Sequence, residues 1–82
     1  MNLFFNKLFI NRYEVRYPFG DIYIGPLLNG RRHGWGVCQY PHGGEYVGQW
    51  WHDRRHGFGR MVTQDDALGG GVLYEGPFRH DK

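Results

Sequence analysis

From residue 13 onward, apolar and polar positions alternate in short runs separated by glycine-rich turns. Tyr23, Gly25 and Leu27 alternate with Ile22, Ile24 and Pro26, the period of two expected of a pleated strand. Asn29-Gly30 follows, a pair that accepts positive φ at both positions and so signals a two-residue hairpin turn. The run from His33 to Tyr40 predicts the return strand, and Pro41-His42-Gly43-Gly44 punctuates it. The unit then repeats. Tyr23-Ile24-Gly25 returns as Tyr46-Val47-Gly48 and again as Tyr74-Glu75-Gly76. Arg31-Arg32-His33-Gly34-Trp35-Gly36 returns as Arg54-Arg55-His56-Gly57-Phe58-Gly59, at the same offset of 23. Between the second and third units the offset grows to 28, because Gln64 to Leu73 carries extra residues, including Gly69-Gly70-Gly71. A lengthened stretch of this kind belongs in a loop. The pattern predicts an all-β fold: a single elongated antiparallel sheet of stacked β-hairpins in an open meander.

The same periodicity divides the chain and assigns its faces. Residues 1–12 read as an apolar cap over the first strand and 13–22 as a trailing half repeat. Full repeats follow at 23–45 and at 46–73, the latter with the loop insertion, and 74–82 is a truncated repeat. Asp53 and Asp81 replace the turn glycine, so the later hairpins are expected to use another turn type. One face carries Tyr23, Leu27, Tyr46, Trp50, Tyr74 and Phe78 over a floor of glycines, which lets the rings lie flat on bare backbone. The other carries Trp35 and Phe58 in mixed company such as Arg60. Tyrosine and tryptophan supply stiff contact area and dominate binding hot spots. The aromatic face is therefore the expected partner surface, its inner rings packed on glycine. Tyr46 and Trp50 would receive an amphipathic helix or an extended peptide.

Composition narrows the chemistry. Fourteen glycines and 18% aromatics in 82 residues suit a sheet rather than a helical bundle. A formal net charge of +2 is too small to imply nucleic-acid binding. The lone Cys38 cannot form an internal disulfide, and the apolar N-terminus lacks the signature of a signal peptide or a membrane span, so a cytoplasmic location is expected. The chain contains no serine, and Cys38 occupies a slot that repeats as Met61, a packing position. No enzyme activity and no cofactor are expected. His33 and His56 fall two strands apart, roughly 10 Å, too far to share one metal ion easily. The basic pairs Arg31-Arg32 and Arg54-Arg55, with Arg79 and Lys82 beyond, line up along one edge of successive hairpins. They form a candidate site for an anionic lipid headgroup or an acidic partner, or a charged ridge that keeps the edge from aggregating.

The Tyr-x-Gly and Arg-Arg-His-Gly-x-Gly blocks at a period of 23 resemble the MORN repeat (membrane occupation and recognition nexus) across residues 13–82. The second unit carries the pattern in full with Tyr46, Gly48, Trp50, His56, Gly57 and Gly59. Pro26 and Pro77 depart from the usual polar residue, and Leu27 stands where tryptophan is common. Similar arrays occur in radial-spoke head proteins, junctophilins, plant phosphatidylinositol-phosphate kinases and parasite cytoskeletal scaffolds. The resemblance implies a non-catalytic interaction module that scaffolds protein–protein contacts at cytoskeletal, ciliary or membrane-proximal sites. Its alternatives are a phosphoinositide-binding, membrane-targeting module and a regulatory part of a larger enzyme. Unpaired sheet edges would also permit self-association.

Overall fold

The computed structural model describes residues 11–63 and 71–81. The cap expected over 1–12 therefore falls mostly outside the described residues, as does most of the inserted loop. Eight strands follow in chain order: β1 Tyr13–Arg16, β2 Ile22–Gly25, β3 Leu27–Leu28, β4 Arg31–Arg32, β5 Gly34–Gln39, β6 Glu45–Trp51, β7 Arg54–Thr63 and β8 Gly71–Phe78. Six form one antiparallel sheet in the order β1-β2-β5-β6-β7-β8, and β3 pairs with β4 at the tip of the first hairpin. Each strand of the main sheet lies beside its neighbours in the chain, the open meander that the repeat predicts.

β1 stands in the register of a return strand. Val15 faces Tyr23 as Met61 faces Tyr46. The connections between hairpins repeat as well. Tyr17-Pro18-Phe19-Gly20 and Tyr40-Pro41-His42-Gly43 each close through a glycine N–H donating to the tyrosine carbonyl, at 2.9 and 3.1 Å. Gly20 and Gly43 have φ of 108° and 91°, a region that other residues rarely enter.

The hairpin tips correct the expectation of two turn types. Asn29 and Gly30 have φ of 52° and 77°, His52 and Asp53 have 47° and 73°, and His80 and Asp81 have 50° and 73°. All three tips thus hold two successive positive-φ residues, as a type I′ turn requires. Aspartate tolerates this conformation better than most side chains, and here its backbone N–H has a further use. The Asp53 N–H donates to the Arg32 carbonyl at 2.8 Å, and the Asp81 N–H does the same to Arg55. The second and third tips are thus each tied to the hairpin before them.

The sheet register sorts the side chains into rows. Val15, Tyr23, Cys38, Tyr46, Met61 and Tyr74 form one row across the sheet. Beside it Gly36, Gly48, Gly59 and Gly76 form a second. The tyrosine rings lie over the glycine row. A Cβ at Gly36 would stand 2.5–2.7 Å from atoms of the Tyr23 side chain, closer than real contacts allow. Each tyrosine hydroxyl then donates to the carbonyl three residues on: Tyr23 to Pro26, Tyr46 to Gln49 and Tyr74 to Pro77, at 2.7–2.8 Å. The glycines therefore admit the rings, and the hydroxyl bonds fix their direction.

Candidate interaction surfaces

The aromatic face closes on itself. Trp50 stands edge-on between Tyr23 and Tyr46, with ring centroids 5.5 and 5.1 Å away, and Phe78 stands in the same way between Tyr46 and Tyr74, at 5.1 and 5.0 Å. This edge-to-face geometry matches the positive ring edge to the negative ring face. The Trp50 indole N–H donates to the Gly36 carbonyl at 3.3 Å. Tyr23 and Tyr46 are 0% exposed and Trp50 is 4% exposed. Burial pushes the phenols of Tyr23 and Tyr46 up to about 12. It also raises the Cys38 thiol above its ordinary value, which disfavours the reactive thiolate. The expectation that Tyr46 and Trp50 stand open to a partner is therefore corrected: they are the core. Phe78 is buried with them and Leu27 is half-buried. Tyr74 alone of the expected set is exposed, beside a pocket of about 340 Å³ lined by Arg55, Met61, Tyr74, Phe78 and Asp81.

A second correction explains how a single sheet buries these rings. The two arginines of each basic pair point in different directions. Arg32 lays its guanidinium 4.4 Å from the Trp50 ring centroid and 5.1 Å from that of Tyr17. Its Nε donates to the Asp53 carboxylate and an Nη donates to the Asp53 carbonyl. Arg55 repeats the arrangement over Phe78 and Tyr46, bonded to Asp81. Their side chains are only 15% and 22% exposed. Arg32 and Arg55 thus act as lids that shield the aromatic face and clamp one hairpin to the next tip. Of the four paired arginines, Arg31 and Arg54 are exposed and Arg32 and Arg55 are not, so the four-arginine ridge reduces to two outward cations, with Arg79 exposed at the third tip.

Large apolar side chains are exposed instead on the opposite face. Trp35 is 53% exposed, Phe58 50%, Val47 38% and Ile24 37%. Trp35 and Phe58 are placed by Gly34 and Gly57, whose φ of 90° and 81° shifts the register of each hairpin by two residues just before them. Gln49 fills the space beside Gly57, and its Oε1 accepts the Phe58 N–H at 2.7 Å, fixing that ring's backbone. Between the rings runs a groove of about 290 Å³, with Val47 and Val62 among its walls and Glu45, Arg60 and Glu75 at its rim. A second groove of about 210 Å³ lies on the other side of Trp35, against Arg12, Val37 and Val47. The tips add a smaller motif. Leu28 lies across from Arg31 and Trp51 from Arg54, each an exposed apolar side chain beside an exposed cation. His33 packs on Trp51 at 4.6 Å between centroids, and its Nδ1 accepts the His52 N–H at 3.2 Å. Among the described residues, no group of three histidine, cysteine or acidic side chains is placed to hold a metal ion.

Comparison with protein families now decides the assignment. The MORN repeat family matches residues 23–45 and 46–66, more than half of the chain. This chain belongs to the MORN-repeat family. No curated protein matches it significantly. The boundary between the matched MORN repeats falls between Glu45 and Tyr46, at the start of β6, so each repeat begins on the tyrosine that covers the glycine row. MORN repeats are generally non-catalytic modules for interaction or membrane association.

The repeated aromatics of the tyrosine face carry the stronger sequence signal, although the Trp35–Phe58 face is the exposed one. Its signal was nevertheless present. Trp35 and Phe58 occupy equivalent positions of the two MORN repeats, and both fall out of phase with the tyrosine row.

Proposed function

We propose that this MORN-repeat chain is a non-catalytic scaffold that binds a protein segment on the face formed by Trp35, Val47 and Phe58. The proposed setting is cytoplasmic, at a cytoskeletal, ciliary or membrane-proximal structure. The observation that carries the reading is the pair of half-exposed rings, Trp35 and Phe58, flanking an apolar groove on a sheet whose other face is already filled. Rings held on two return strands stand about 10 Å apart, close to the width of a helix. Apolar side chains from an amphipathic segment would enter the groove, with the rim charges Glu45, Arg60 and Glu75 meeting its polar flank.

The second reading is recruitment to anionic lipid, supported by the tips. Trp51 beside Arg54, and Leu28 beside Arg31, combine an apolar side chain with a cation, the pairing suited to a membrane interface. Two exposed arginines contribute about 1 kcal/mol each near an anionic surface, so this binding would be weak and strongly salt-dependent.

One experiment separates the readings. Wild type, Trp35→Ser/Phe58→Ser and Arg31→Glu/Arg54→Glu are compared in quantitative affinity capture from cell extract and in flotation with phosphoinositide-containing vesicles. Scaffolding predicts that the face variant loses its captured proteins while the tip variant keeps them. Vesicle flotation lost only in the tip variant would put lipid recruitment first. Capture unchanged in the face variant would overturn the docking face.

A further inference from the structure

The docking face also specifies the chemistry of its partner, an inference that rests on the docking reading. The larger groove follows β6. Trp35 on β5 and Phe58 on β7 stand level with Gln49, Val37 and Arg60 flank Val47, and Gln39 and Val62 flank Glu45. The groove therefore runs from the two rings, over Val47, to the Glu45 carboxylate, about 13 Å along the strand.

That carboxylate lacks a cation. Glu45 is half-buried and accepts a long bond from the Gln39 amide, at 3.4 Å. Arg60, the basic residue of the groove wall, is already paired with Glu75 at 2.9 Å. Among the described residues no ion pair includes Glu45. One uncompensated negative charge thus lies at the end of the groove away from the rings. The backbone decides the shape of the occupant. The groove lies on the face of three strands that pair with one another. An extended segment laid there would leave its own N–H and C=O groups without partners, whereas a helix satisfies them internally. On a helix about 13 Å is nearly nine residues, and positions i, i+4 and i+8 fall along one side.

We propose that the partner is a basic amphipathic helix lying along β6. One apolar side chain enters between Trp35 and Phe58, and a second, four residues away, covers Val47. A lysine or arginine seven or eight residues from the first meets Glu45. The charge at one end fixes the direction of the helix, which the rings and the valine floor alone leave open.

The test selects displayed random peptides of about sixteen residues, long enough for four helical turns, on the immobilised 82-residue chain. The selection is repeated on Glu45→Lys. Wild type should enrich peptides with two apolar residues four apart and a lysine or arginine seven or eight from one of them. Glu45→Lys should enrich aspartate or glutamate at that place instead. The leading wild-type peptide is then synthesised and its binding measured by fluorescence anisotropy. It should bind Glu45→Lys about tenfold more weakly, and Trp35→Ser/Phe58→Ser about a hundredfold more weakly. Circular dichroism showing an unchanged sheet qualifies each variant. The two proposals fail separately. Peptides lost with the face variant leave docking intact but overturn the basic helix if they carry no charge preference, if Glu45→Lys selects the same charges, or if their spacing is the two and four of an extended strand. No enriched peptide, or enriched peptides indifferent to the face variant, would overturn docking and the inference together.

Discussion

The two faces of this sheet are built from the same strands, yet they follow opposite rules. On one, Tyr23, Cys38, Tyr46 and Met61 form a row in which glycine admits the tyrosine rings, and Arg32 and Arg55 close over Trp50, Tyr46 and Phe78 beside it. On the other, Ile24, Val37, Val47, Arg60 and Glu75 form a row with no lid among the described residues. A single sheet has no second layer to bury a face, so the comparison teaches what replaces that layer. Here it is the pair of inward arginines, each held by an aspartate from the next hairpin tip. An aspartate at a turn position thus does two tasks: it accepts the positive φ and it anchors the lid.

The largest expected contrast is between tryptophans on the two faces. Trp50→Ala should cost about 3–5 kcal/mol, the range for emptying a buried aromatic site, whereas Trp35→Ala should stay within about 0.5 kcal/mol. Urea melts of the two variants measure both, and equal losses would break the division of the faces.

A smaller effect is expected from Gly36→Ala. The added methyl would meet the Tyr23 ring, and overpacking of this kind costs about 1–3 kcal/mol. Gly43→Ala meets no atom within 4 Å, but its φ of 91° adds strain of another kind. Combining each glycine variant with Tyr23→Leu tells the two apart. Relief of Gly36→Ala alone by Tyr23→Leu is the expected outcome, read from the same melts as a double-mutant cycle.

The smallest expected contrast concerns the ion pairs. Asp53→Asn keeps a side chain that tolerates the turn but removes the charge facing Arg32, and should cost about 1 kcal/mol. Glu75→Gln, which breaks the exposed pair with Arg60, should change stability by less than about 0.5 kcal/mol. Thermal melts at low and high salt check this. A larger loss from Glu75→Gln would mean that the exposed face is also held by its charges.

The sequence by itself determined the family, the antiparallel meander and the register, because a period of two within a period of 23 leaves little freedom in which residues face each other. It also placed Tyr23, Tyr46 and Trp50 on one side over glycine. Tertiary structure alone decided which side is closed. Alternation shows that two residues share a face, but burial depends on what reaches over that face from elsewhere. Alternation alone puts Arg32 in phase with Gly36 and Cys38 and Arg31 out of phase with them. What it does not show is that Asp53, 21 residues on, holds Arg32 down as the lid. The same arrangement buries the expected partner surface and leaves Trp35 and Phe58 exposed on the other face. A lid held by a residue from the next hairpin is a long-range contact, and local periodicity carries no record of it.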